Sequence, residues 1–78
     1  MKFTKYFLET RTRPDRAIIK DAWICQVTGK PEKEAVQKDG RIRRWARIAD
    51  AEGRVLRVVL LDDGETVHNA FFDRGMKL

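Results

Sequence analysis

The chain has 78 residues, 42% of them hydrophobic and 37% charged, and a formal net charge of +5. That length makes one domain with a small core, and the apolar share argues against a disordered chain. Its one cysteine excludes an internal disulfide and a thiolate-rich zinc site, and no apolar run has the length of a signal peptide or a membrane span. The cytoplasm is the expected address, and no membrane, cofactor or metal is expected to take part. Cys25, among apolar neighbours, reads as a small buried side chain. The charge is uneven. Residues 41–58 carry six arginines against Asp50 and Glu52, residues 1–20 carry six basic groups against Glu9 and Asp15, and the remainder is slightly acidic. Such clustering favours an acidic partner, nucleic acid among them.

In chain order, Phe3-Thr4 reads as a helix entry, with Thr4 as the cap and Phe3 stapled onto Leu8. Phe7 and Leu8 would face the core, while Lys5, Glu9 and Arg11 face water. The segment is short and rich in threonine and aromatics, so a strand from Lys2 to Thr10 is the alternative. Pro14-Asp15 ends this element, because the residue before a proline avoids the helical region. A second helix is expected from about Lys20 to Thr28. Asp21 suits the positive end of its dipole, Ile19, Trp23, Ile24 and Val27 form one apolar stripe, and Gly29 and Pro31 stop it.

From residue 32 onward the signals change to turns and alternation. Lys38-Asp39-Gly40-Arg41 is a hairpin turn joining a short strand, about Glu34 to Lys38, to a basic strand from Arg41 to Ile48. Asp50-Ala51-Glu52-Gly53 is a loop, Arg54 to Leu61 the most hydrophobic strand, Asp62-Asp63-Gly64 the third turn, and Thr66 to Phe72 the last strand. The expected fold is a single α+β domain over residues 1–78, with two N-terminal helices on one face of a four-stranded antiparallel meander.

The basic strand organises the functional reading. Its side chains alternate between a row of Arg41, Arg43, Trp45 and Arg47 and a row of Ile42, Arg44, Ala46 and Ile48. Arg44 is out of place on the second row: either it reaches the sheet edge or the phase is shifted. In the next strand Leu56, Val58 and Leu60 share one face, and Val55, Arg57, Val59 and Leu61 the other. Both faces are apolar, so something must cover the second: a tail, a partner chain, or the walls of a groove. Arg57 lies alone among those neighbours, where desolvation strengthens its pull on a phosphate. Its alternative is an arginine lying flat with its head at the rim.

Arginine forks match phosphate oxygens, and an exposed indole at Trp45 would stack a base. The alternative is mutual cation–π stacking, with Trp45 covering Val55 and Val59. His68 is the single histidine, on a row with Thr66, Ala70 and Phe72, and alternation leaves open whether it lies beside Arg57 or beneath the helices. Cleaving RNA through its own 2′-hydroxyl needs a base, an acid and cations for the crowded phosphate. The candidate catalytic set is His68, Arg57 and Arg43, and the candidate nucleic-acid contacts are Arg41, Arg43, Trp45, Arg47 and Arg74. Asp73-Arg74 reads as a surface ion pair.

Ile19, Trp23-Ile24, Pro31, Asp39-Gly40-Arg41, Arg44-Trp45, Gly53 to Val59 and Ala70-Phe71-Phe72-Asp73-Arg74 together resemble a small bacterial domain family of uncharacterised function, grouped with the BrnT and RelE/ParE-like toxins. The resemblance spans nearly the whole chain. It implies a compact toxin-like fold and, for some relatives, ribosome-dependent or free mRNA cleavage regulated by a cognate antitoxin; an endoribonuclease activity here is expected to be metal-independent. The rival expectation is a non-catalytic protein- or nucleic-acid-binding module. In its homodimeric form the doubly apolar strand would pair with a second copy through Val55, Val59 and Leu61.

Overall fold

The computed structural model describes residues Met1–Leu78. In chain order it contains β1 (Lys2–Phe3), α1 (Lys5–Thr10), α2 (Pro14–Ala17), α3 (Asp21–Gly29), β2 (Lys33–Val36), β3 (Ile42–Ile48), a 3₁₀ turn (Ala49–Ala51), β4 (Arg54–Leu60) and β5 (Thr66–Phe72). The strands form one sheet in the order β1-β5-β4-β3-β2, antiparallel except for the parallel pair β1–β5.

The α+β class and the β2–β5 meander agree with expectation, whereas the numbers of elements do not: there are three helices and five strands. Residues 2–10 divide between both readings offered for them. Lys2 and Phe3 add a short strand to β5, and the helix begins after Thr4, whose Oγ1 accepts from the Phe7 N–H at 3.1 Å. The staple is Phe3 on Phe7, with ring centroids 5.2 Å apart, and Leu8 faces solvent. Pro14 opens α2 at its first turn instead of merely ending α1, since the proline lacks only an N–H that a helix start leaves unpaired anyway.

The three turns that make the meander are built from the residues that suit them. At the β2–β3 turn the Gln37 N–H donates to Arg41 O, and Gly40 has φ +89° with Asp62 Cβ only 3.2 Å from where a Cβ would sit. The β3–β4 connection passes through the left-handed region at Glu52 and Gly53, with φ 60° and 75°. In the β4–β5 turn the Asp63 carboxylate accepts from the backbone N–H groups of Glu65 and Thr66 and from the Thr66 hydroxyl. The Thr66 bonds, first the hydroxyl and then the N–H, together with the Glu65 N–H hold that carboxyl down at about 2.

One face of the sheet packs against α1 and α3. Ile24 and Val27 of α3 and Phe7 of α1 close over Ala46, Ile48, Leu56, Val58, Leu60, Val67 and Ala70, all buried. Arg44 has the expected phase. It leans over the β2 edge, donating through Nε to Glu34 at 2.9 Å and through Nη1 to the Thr28 carbonyl at 2.9 Å. Its charge therefore sits at the negative end of α3. Cys25, by contrast, is exposed on the outer side of α3, because the buried stripe passes through Ile24 and Val27. No helix is long and apolar enough to cross a membrane.

Candidate nucleic-acid interface and active site

The second face of the sheet has no helix over it. Cross-strand pairing sets its rows: Arg43 faces Val59, which faces Asn69, and Trp45 faces Arg57, which faces Phe71. At the next step β5 breaks register. Val59 pairs with Asn69 but Leu60 pairs with Val67, so His68 is the extra residue of a bulge. Strict alternation would have kept His68 on one row with Ala70 and Phe72. The bulge puts Val67 and Ala70 both into the core and turns His68 to the open face. The question left by alternation is thereby answered, and the row assigned to His68 is corrected.

Four of the candidate residues come together in this way. His68, Arg57, Arg43 and Arg41 line one shallow cavity of about 450 Å³, with Tyr6, Gln37, Asn69 and Phe71 among its walls and no carboxylate in its lining. Each cation is only weakly compensated. Arg57 has its guanidinium between the rings of Trp45 and Phe71, 5.4 and 5.1 Å from their centroids, and its nearest carboxylate is Asp73, 3.8 Å from Nη1. Its Nε is buried without a hydrogen-bond partner. Arg43 faces a neutral group, the Gln37 side-chain amide, whose oxygen accepts from the guanidinium once the amide is turned towards it. Arg41 reaches Asp39 at 3.7 Å on an exposed turn, a contact that solvent screens.

The imidazole is held from two sides. Its Nδ1 lies 3.1 Å from Thr4 Oγ1, the hydroxyl that also caps α1, and its ring stacks on Tyr6 at 4.9 Å between centroids with 25° between planes. Burial, and then the charge of Arg41, lower its pKa from the ordinary histidine value, which favours the neutral ring, a form in which one nitrogen can accept a proton.

The remaining candidates lie elsewhere. Trp45 is only 3% exposed; its Nε1 donates to Asp73 Oδ2 at 3.1 Å and its ring covers the outer side of the sheet, so it offers no face to a base. Arg47 is matched by Glu32, which accepts from Nη2 at 2.6 Å, from Nε at 3.0 Å and from the Arg47 backbone N–H at 2.7 Å. This pairing lowers the Glu32 pKa, mainly through the side-chain hydrogen bonds. Arg74 borders a separate 280 Å³ depression with Arg54 and Met76, and the expected Asp73–Arg74 ion pair is replaced by Asp73 on Arg57. Val55, Val59 and Leu61 are already half-buried within the single chain, which supplies much of the cover their exposure called for.

Two residues escaped the sequence reading. Arg16 of α2 reaches around the free edge of β5, donating through Nη1 to Asn69 Oδ1 at 2.8 Å and lying 5.2 Å from the Phe71 ring. Nothing in Pro14-Asp15-Arg16 signals that reach, which depends on where α2 lands. Tyr6 was legible in principle, because helical spacing sets it about 100° round the helix from buried Phe7. No three His, Cys, Asp or Glu side chains converge in a way that could hold a metal ion.

No family model, curated protein or solved structure matches the chain.

Proposed function

We propose that this chain binds RNA on the open face of its sheet and cleaves it by attack of a 2′-hydroxyl on the adjacent phosphate. One observation carries the reading: an imidazole and three guanidiniums share a cavity that no carboxylate lines. Arginine forks suit phosphate oxygens, and the absence of acidic walls leaves that charge to an anion. With Nδ1–H donating to Thr4 Oγ1, His68 Nε2 accepts the 2′-hydroxyl proton. The freed oxygen attacks phosphorus, the bond to the 5′-oxygen breaks, and the imidazolium returns its proton to that leaving oxygen. The products are a 2′,3′-cyclic phosphate and a 5′-hydroxyl. Arg43 and Arg57 stabilise the charge that gathers on the phosphorane. The likeness to the BrnT and RelE/ParE-like toxins in turns and strands is in keeping with this chemistry, and on it rests the further proposal of a cognate antitoxin that covers the cationic face.

The test is to incubate the purified chain with single-stranded RNA in EDTA and to identify the product ends. Cyclic phosphate termini that disappear in His68→Gln support the reading; intact RNA with the wild-type chain overturns the enzymatic step. A second reading, RNA binding without chemistry, is favoured by the make-up of the cavity walls, which hold no second histidine and no carboxylic acid beside His68. Salt-sensitive binding with no cleavage identifies that case.

A further inference from the structure

We infer that the strand bound here is single-stranded and that Tyr6 is the platform for one of its unpaired bases. The inference rests on the RNA reading above and names the substrate class of that same site. A base needs an open aromatic face, and the cavity has one aromatic that offers it. Trp45 is buried, and Phe71 lies between the guanidiniums of Arg57 and Arg16 at 5.1 and 5.2 Å. Tyr6 lines the cavity and remains 48% exposed, and His68 is the only ring or cation stacked against it.

The platform is also rigid. Thr4 caps the helix that carries Tyr6 and, through the same Oγ1, meets His68 Nδ1. Tyrosine and histidine are therefore fixed to each other at both helix and strand, and little side-chain freedom is lost when a base joins the stack. A base on Tyr6 extends the stack His68–Tyr6–base alongside the imidazole, while Arg41 and Arg43 hold the neighbouring phosphates. In a duplex both faces of each base are covered by its neighbours, so a paired strand meets the arginines but not the ring.

The experiment uses the full chain and a short 2′-O-methyl oligonucleotide, which lacks the attacking hydroxyl, so binding is read without cleavage. Anisotropy is measured for the single strand, for its duplex, and for the single strand with one base removed at successive positions. Tyr6→Leu is expected to weaken single-strand binding about ten-fold, a typical loss for one stacked base. Tyr6→Phe keeps wild-type affinity, and the duplex responds to neither. Removing the base at one position is expected to reproduce the Tyr6→Leu loss and to add nothing to it. If Tyr6→Leu binds the single strand as well as wild type while Arg43→Ala does not, the platform is overturned and the RNA reading stands. Equal losses for single strand and duplex in Tyr6→Leu overturn it too, since the ring then only positions its neighbours. If the wild-type chain binds neither form at low salt, the RNA reading and the platform fall together.

Discussion

Leu56, Val58 and Leu60 point from β4 into the helix-covered core, while Val55, Arg57 and Val59, alternating with them, point to the open side. On the first side these side chains are fully buried in a hydrophobic cluster, each contributing about 1.5–3 kcal/mol through burial. On the second, an arginine lies between two aromatic rings, a tryptophan is tied to a carboxylate, and the cations outnumber the acids around one cavity. Strands one residue out of phase thus carry the stability on one face and the charge on the other. The lesson is that the open face tolerates substitution where the core does not, and that damage to the two can be separated.

The sharpest separation should come from Leu56→Ala. Removing a fully buried leucine is expected to cost about 3 kcal/mol in denaturant unfolding, while the fraction still folded binds RNA with unchanged affinity. Across the sheet, His68→Gln is expected to leave the unfolding midpoint nearly in place and to lower cleavage by about 100-fold or more, read from the rate of cyclic phosphate formation. If both variants lost stability equally, the division between the faces would fail.

Asp73→Asn tests packing and charge together within the open face. Its Oδ2 serves both Trp45 Nε1 and Arg57, so the variant is expected to lose about 1 kcal/mol of stability and yet to bind RNA more tightly, with a steeper dependence on salt. Lower affinity and an unchanged salt slope would show that Asp73 holds Arg57 in its working position rather than competing for it.

Two pH effects are smaller. Folding lowers the His68 pKa below 6.5, so the unfolded chain takes up the proton first. Its contribution to stability is complete above that pH and declines as pH falls through the folded value; on the proposed mechanism, cleavage is expected to fall in the same direction as the base becomes protonated. Folding likewise lowers Asp63 from 3.8 to about 2, so its contribution is present above pH 3.8 and is lost as pH falls towards 2. In Asp63→Asn the unfolding midpoint should change less across that acid window than in the wild-type chain.

Much of this arrangement was legible before the fold was known. The last strand has the expected bounds, Thr66 to Phe72, and the Asp39-Gly40 and Asp63-Gly64 turns lie where alternation breaks, because turn chemistry is local. The α3 stripe was also readable from helical spacing. What escaped depends on pairing between distant segments. β1 is two residues long and exists because β5 leaves an edge for it. The burial of Trp45 follows from Asp73, 28 residues further on, and the reach of Arg16 from Asn69, 53 residues away.

By itself the sequence determined a small α+β domain, a meander set by its turns, a core face given by period-two alternation, and a cationic strand in the middle. Local propensity and hydrophobic periodicity suffice for those. Only the tertiary structure decided which cations and which rings meet. A single extra residue in β5 turns His68 out of the core row, towards Tyr6, Arg41 and Arg57, and no count of alternating residues reveals a bulge before its partner strand is in place.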